Sequence, residues 1–297
     1  MRLATTDIEA KYSVTRPFRA PFHRGGMLHG LIGWTLRRAG CAEPSPCEES
    51  CARPGACTWS RLFDPPPPPS PPPHRLLASA IEPPAPMIVR VPPPGAVDLK
   101  IGDAMAVELR LIGTGRDADI GAVERALGAI SELPIGQEEG RMTLEAITRR
   151  VPRDHVIEAG PAGNGRVTVR FETPVRMKRG GRPVEDIDFP MLFAQVWRRL
   201  TMLCALYGEL GPEDDETFQR LREEAADVRA GEGRLRVLRW KHLSAASGER
   251  KPMSGLLGHV VFEGGVEPFL PALRAAEAVH VGGGTSFGLG RVRVERA

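Results

Sequence analysis

Five glycines fall within nine residues near the C-terminus, Gly282, Gly283, Gly284, Gly288 and Gly290, with Thr285 and Ser286 among them and His280 just before. Without a Cβ, such a stretch can bring backbone N–H groups close to another group, and phosphate oxygens are the natural partners. The pattern is not a nucleotide-cradling P-loop. No Lys-Ser/Thr follows, and the exit Arg291-Val292-Arg293-Val294 alternates like a strand instead of opening a helix. The spacing predicts a loop wedged between two strands, the first at His280-Val281; a glycine-rich hairpin without a ligand is the plainer alternative. A second chemical cluster is Cys41, Cys47, Cys51 and Cys57, spaced C-x5-C-x3-C-x5-C. Four close thiols in a chain of cytosolic character suit a tetrahedral zinc better than disulfides. The C-x2-C knuckles of common zinc folds are missing. Four thiolates leave no open position, so such a metal would be structural. Cys204, alone in an apolar segment, reads as a small core residue.

Charge adds a third signal through its distribution. The formal net charge of the 297 residues is only +3, too small by itself to announce a nucleic-acid partner. Yet three stretches lack any carboxylate. Lys11 to Ala42 carries Lys11, Arg16, Arg19, Arg24, Arg37 and Arg38 beside His23 and His29; Gly233 to Gly248 carries Arg234, Arg236, Arg239, Lys241 and His242; Ala278 to Val294 surrounds the glycine loop with His280, Arg291 and Arg293. Arginine is well suited to bidentate phosphate contact. The three runs make one positive surface if the fold gathers them, and unrelated solvated faces if it does not.

Hydrophobic periodicity supplies the elements that must position these groups. It predicts a strand over 3–13, a helix over 27–39, a strand over 105–112, a helix over 120–133 and a strand over 141–149. Residues 40–95 read as a Cys- and Pro-rich insertion, its run of prolines a polyproline II spacer. The turn-rich Gly160–Gly165 marks a boundary, dividing the chain into 1–160 and 161–297. Beyond it come a strand over 166–171, a helix over 189–207, a polar helix over 217–228, strands over 234–243 and 256–262, and a helix over 266–276. The class is α+β, with two ferredoxin-like (RRM-like) units of antiparallel sheet and helix. No segment approaches about 18 uninterrupted apolar residues, and Asp7 and Glu9 stand where a signal peptide would be apolar. A cytoplasmic protein without a membrane partner is expected.

Three stretches resemble the sixth CRISPR-associated (Cas) protein family, the repeat-RNA processing endoribonucleases of the RAMP superfamily. Gly26-Met-Leu-His-Gly-Leu-Ile-Gly-Trp-Thr-Leu-Arg-Arg38 is similar to the family's first helix, followed by the cysteines and Leu62-Phe63-Asp64-Pro65. Phe171-Glu-Thr-Pro-Val-Arg-Met-Lys178 leads into the long helix with Arg198 and Arg199. The most specific stretch runs from Met253 to the glycine loop. The resemblance implies tandem RRM-like domains that cleave CRISPR repeats in precursor RNA without a metal, by 2′-OH attack, leaving a 2′,3′-cyclic phosphate. It further implies that His29, with His23 second and Tyr12 a third candidate, carries the proton transfers. RNA would lie against Arg19, Arg24, Arg37, Arg38, Arg239, Lys241, His242, His280 and the loop residues Gly282, Gly283, Gly284, Thr285, Ser286, Gly288 and Gly290. No Lys follows His29 closely, and Gly283 stands where many members have Lys. The partners implied are repeat RNA and subunits of a CRISPR effector complex. A non-catalytic RAMP-type RNA-binding subunit is the second reading of the same features, and a DNA-binding or regulatory protein of this fold the third.

Overall fold

The computed structural model describes residues 1–40, 55–68, 70, 82–136, 138–211, 214–243 and 250–296. The chain begins with the long strand β1 (Arg2–Arg16), the short β2 (Phe18–Ala20) and helix α1 (Arg24–Gly40). Next are α2 (Thr58–Phe63), β3 (Met87–Arg90), β4 (Val97–Leu99), β5 (Ala104–Ile112), α3 (Asp117–Ala129), β6 (Arg141–Arg149) and β7 (Arg153–Val156). The second half holds β8 (Gly165–Val175), the tiny hairpin β9 (Lys178–Arg179) and β10 (Arg182–Pro183), α4 (Phe189–Tyr207) and α5 (Asp214–Glu224). It ends with β11 (Arg229–Leu243), β12 (Arg250–Gly264), α6 (Leu270–Val279) and β13 (Val292–Arg296).

Both main sheets are antiparallel and share one plan. The first runs β3-β5-β1-β6, with β7 beside the start of β1; the second runs β11-β12-β8-β13. In each half the four main strands follow the spatial order second, third, first, fourth, with a long helix (α1, α4) and a shorter one (α2, α5) after the first strand and one helix (α3, α6) before the last. That is the βαββαβ ferredoxin-like arrangement, present twice. Among the described residues no helix is long and apolar enough to cross a membrane.

Alternation along β1 decides how the halves meet. Ile8, Ala10, Tyr12 and Val14 point into a core with Leu28, Ile32 and Leu36 of α1 and Val123 and Leu127 of α3. Leu3, with Ile88 of β3 and Ile112 of β5, joins the core built around Phe193, Trp197 and Leu200 of α4. The first sheet is therefore covered on one face by its own helices and on the other by the second half. Each such Leu or Ile, fully buried, contributes about 1.5–3 kcal/mol. The helix α4 starts where Asp188 accepts a hydrogen bond from the Met191 amide at 2.8 Å, with Pro190 in its first turn, a favourable N-terminal combination.

Two expectations are corrected here. The 40–95 segment is more than an insertion, because β3 within it is the edge strand of the first sheet, paired with β5 from Met87↔Leu111 to Arg90↔Glu108. Tyr12 is not at a surface: it is fully buried, and its hydroxyl donates to the Leu127 carbonyl at 2.8 Å. Burial pushes its phenol pKa well up. It braces β1 against α3 and has no access to a substrate.

Among the polar contacts that cross the seam between the halves, one centres on Arg110. Arg110 of β5 holds Asp7 of β1 through two hydrogen bonds of 2.6 and 2.7 Å, and its remaining nitrogen donates to the Ala278 carbonyl at the end of α6 at 3.0 Å. Burial raises the Asp7 pKa, but hydrogen bonding and charge from Arg110, with Arg90 and Arg153 adding, outweigh it and hold the carboxyl below its usual range. Removing one partner leaves a buried charge uncompensated. Asp7→Asn should therefore cost about 3 kcal/mol, read as a lower urea midpoint at unchanged slope. Glu263→Gln, which breaks the exposed pair with Arg166, should stay within about 0.5 kcal/mol.

Candidate nucleic-acid interface

A tight junction forms between α1 and the glycine loop. Along α1, Gly25, His29 and Gly33 recur every four residues and so share a face. A Cβ on Gly25 would overlap the Phe287 carbonyl oxygen, and one on Gly33 would sit 2.9 Å from the Phe63 ring. Between these two small residues the His29 imidazole lies 4.3 Å from the Phe287 ring and 4.4 Å from the Phe63 ring, centroid to centroid. The helix begins at Arg24, earlier than expected, so His29 stands in its second turn and remains half-buried. A phenyl ring from each side leaves the imidazole little freedom to turn.

His23, just before α1, is buried, and its Nε2 lies 2.9 Å from the Phe287 carbonyl oxygen, which requires the proton on Nε2. Its ring is also 6.0 Å from that of Trp240 on β11. The three carboxylate-free runs therefore meet at one imidazole: His23 from the first, Trp240 from the second, Phe287 from the third. Of the two early histidines, His23 ties the loop to the helix and His29 is the one left partly open.

The glycines do bring backbone close to something, and much of that something is the protein itself. A Cβ on Gly288 would collide with the Val89 carbonyl of β3, and one on Gly290 with the Val281 carbonyl. One on Gly282 would lie 2.5 Å from the Arg176 carbonyl oxygen. The Gly283, Gly288 and Gly290 amides donate to the carbonyls of Arg176, Thr285 and Pro174. Gly282, Gly284, Gly288 and Gly290 all have φ between 68° and 81°, which a side chain would resist. Thr285, Gly288 and Gly290 are buried, Gly282, Gly284 and Ser286 half-buried, and Gly283 exposed. Their expected roles divide accordingly: the buried three shape the loop, and Gly283 lies at the surface with its amide held by Arg176.

The loop also lies between a helix and a strand, not between two strands, because the Ala-rich α6 continues to Val279. His280 caps it with φ 61° and ψ 171°, a region that is costly for any residue but glycine. Its Nδ1 lies 3.1 Å from the Leu289 carbonyl oxygen. It is fully buried, which places it beneath the loop and not on its surface. Burial, then the charge of Arg199, drive its pKa well below the usual value and keep it neutral. Arg199 is itself enclosed, donating from Nε to the Val279 carbonyl at 2.6 Å, and burial lowers its pKa to about 10.

Other expected contacts scatter. Arg19 sits on β2, 3.7 Å from Asp98. Arg37 stacks over Trp59 at 3.9 Å and Arg38 over Trp34 at 4.5 Å. Arg24 opens α1, its pKa lowered by burial. Arg239 and Lys241 are exposed on β11, while the side chain of His242 lies outside the described residues. Cys41, Cys47 and Cys51 also lie outside them. The Cys57 sulfur caps α2 by accepting from the Ser60 amide at 3.4 Å. Cys204 is buried in α4 and its thiol pushed up to about 12, as suits a core residue.

The structure adds Arg176, Lys178 and Arg198, which the motif reading left out of the site, and places them with Arg239. A cleft of about 730 Å³ opens beside Gly283, lined by Arg176, Lys178, Arg198 and Arg239. Lys178 opens β9 with Arg176 two residues before it, and Arg198 projects from α4. Their signal in the sequence was the basic character of the stretches Phe171–Lys178 and Arg198-Arg199, but only folding shows that they share a wall.

Residues 3–170 match the family model of the AF_1859_N N-terminal domain, and residues 169–292 that of the CRISPR-associated endoribonuclease Cas6. The fold is similar to a Cas6 product complex, with TM-score 0.60 and 16% identity over 98% of this chain and 100% of that one. Against Thermus thermophilus Cas6 the TM-score is 0.57 at 16% identity, over 99% of both chains. A partial Cas6-RT-Cas1–Cas2 complex gives 0.59 at 11% identity, over 99% of this chain and 46% of that one. No curated protein matches the chain in sequence.

Two outcomes follow from the junction. Alanine normally favours a helix over glycine by about 1 kcal/mol, and Gly121→Ala in α3, where only the flexible Arg125 end is near, should raise the melting temperature. Gly25→Ala should lower it, because the added methyl forces α1 off Phe287. The second concerns pH. The unfolded chain binds a proton on His280 below about 6.5 that the folded chain refuses, so stability should fall as pH drops below that value. His155, also lowered by burial, acts in the same direction. Thermal melts of His280→Asn should show a shallower decline between about pH 6.5 and 5.

Proposed function

We propose that this chain, whose residues 169–292 match the Cas6 endoribonuclease model, cleaves precursor CRISPR RNA within its repeats by a metal-independent route. The Cas6 endoribonuclease domain supports RNA processing as the activity; the mechanism and the residue roles are our reading. The observation that carries it is the convergence of the His29 face of α1 with the glycine loop, in a region where three carboxylate-free runs meet.

In this reading the 2′-OH beside the scissile bond loses its proton to a base, and its oxygen attacks phosphorus. The 5′-oxygen leaves and takes up a proton, giving a 2′,3′-cyclic phosphate and a 5′-hydroxyl. Histidine suits both transfers near neutral pH. His29 is the candidate, since its ring is partly open and held by Phe63 and Phe287. His23 is assigned to holding the loop. Arg24, in the first turn of the same helix, supplies positive charge for the phosphorane, while Arg37 and Arg38 lie about two turns beyond His29 over Trp59 and Trp34. A zinc on Cys41, Cys47, Cys51 and Cys57 would be structural and stand outside this chemistry. The setting is cytoplasmic, with repeat RNA as partner and association with other CRISPR subunits part of the proposal.

Incubating the protein with a repeat RNA in EDTA should yield cyclic-phosphate ends by mass analysis, and a single 2′-deoxy nucleotide at the cut should block cleavage but not binding. His29→Ala should lower the single-turnover rate about 100-fold or more with RNA affinity little changed. His23→Ala should lower rate and melting temperature together. A His29→Ala protein that cuts at the normal rate would refute the assignment. Tight binding without any cleavage by the natural protein would favour an RNA-binding subunit.

A further inference from the structure

Many of the described arginines are neutralised by a neighbour. Arg179 pairs with Asp188, Arg166 with Glu263, Arg291 and Arg293 with Glu172, and Arg296 with Glu267. The cleft beside Gly283 departs from this. Among the described residues no carboxylate lies within ion-pair distance of Arg176, Lys178, Arg198 or Arg239, although Glu185 also lines the cleft. Four cations held around one concavity repel one another, and an anion placed among them relieves that repulsion.

Part of the remaining wall is apolar, formed by Met177, Val184 and Val237, with Glu185, Gln195 and Ser254 the polar members. A concavity with an apolar side and a cationic rim matches a nucleotide of a single strand, whose base needs a dry surface and whose phosphate needs charge. Size points the same way. About 730 Å³ is room for about two nucleotides and far too little for a duplex. An adjoining hollow of about 140 Å³ shares Gln195 and Arg198 and reaches Arg199 and Gly282, extending the charged path toward the loop.

The cleft is joined to the His29 junction by covalent neighbours. Strand alternation on β11 turns Arg239 to the cleft and the ring of Trp240 toward His23. The loop likewise contributes Gly283 to the cleft and, four residues on, Phe287 to His29. From this geometry we infer that the cleft between the β9–β10 hairpin, α4 and the β11–β12 ribbon is a subsite for unpaired nucleotides, about two, of the RNA strand cut at His29. This rests on the RNA-processing reading above and adds to it a single-strand requirement next to the cut. An RNA whose corresponding nucleotides are locked in a duplex would be disfavoured.

The test uses the full chain and a repeat RNA carrying one 4-thiouridine at a time, walked through the sequence, with ultraviolet crosslinking and peptide mapping. Adjacent positions should crosslink to the peptides bearing Met177 and Val237. The double charge reversal Lys178→Glu with Arg239→Glu, at two exposed positions whose change leaves the core untouched, should abolish those crosslinks and weaken RNA binding about tenfold or more at fixed salt. Circular dichroism and melting temperature verify folding. Normal affinity in the double variant, with no crosslink to these peptides while the natural protein cuts the RNA, would overturn the cleft and leave the nuclease reading standing. A natural protein that neither binds nor cuts repeat RNA would remove both.

Discussion

The C-terminal end of α6 is where the molecule is held together. A helix ends with carbonyls that have no partner in the helix and with a partial negative charge. Here two arginines answer both needs, Arg110 from the first half at the Ala278 carbonyl and Arg199 from α4 at the Val279 carbonyl. Asp7 balances the first of these cations. The position of the glycine loop depends on this capture, because the loop starts at His280, one residue later. The strained backbone of His280 persists because Leu289, Arg199 and the closed core around it leave no alternative.

From that anchor the loop is pinned on three sides. Arg176 receives the Gly283 amide, Val89 of β3 abuts Gly288, and His23 and Gly25 of α1 meet Phe287. The two halves are thus joined by backbone contacts that only glycine permits, not by a pliable linker. Preorganisation of this kind suits the proposed reaction, in which the imidazole and the scissile phosphate would be brought into line by the protein. The aromatic flanks of His29 serve the same end.

Electrostatics then sorts the many arginines. Those on the outer faces of the sheets are largely paired, and exposed pairs of this sort add little to stability. The cations without carboxylate partners, on β11 and around the cleft beside Gly283, keep their full attraction for an anion. Net charge was uninformative because it averages over both groups. Arg19 belongs with the paired set, 3.7 Å from Asp98, although it stands in a carboxylate-free stretch of sequence.

Much of the plan was legible in the residue pattern. The 3.6-residue periodicity of Leu28, Ile32 and Leu36, and of the apolar residues of α4, fixes helices whatever surrounds them, and the alternation over Arg141–Arg149 fixes a strand. What failed was short or context-bound. Met87–Arg90 is too brief for periodicity and is a strand only because β5 offers an edge. Val279-His280 looked β-prone, yet the alanines before it carry α6 through. Tyr12 kept company with histidines in the chain but faces inward, since alternate residues of β1 serve different cores. Local propensity and spacing, which act over a few residues, settled the element types, the class of the fold and the early histidines and glycines as candidates. Which imidazole is open, which cations stay unneutralised and what the glycines press against depend on contacts between residues more than a hundred positions apart, and those exist only once the two halves close on α6.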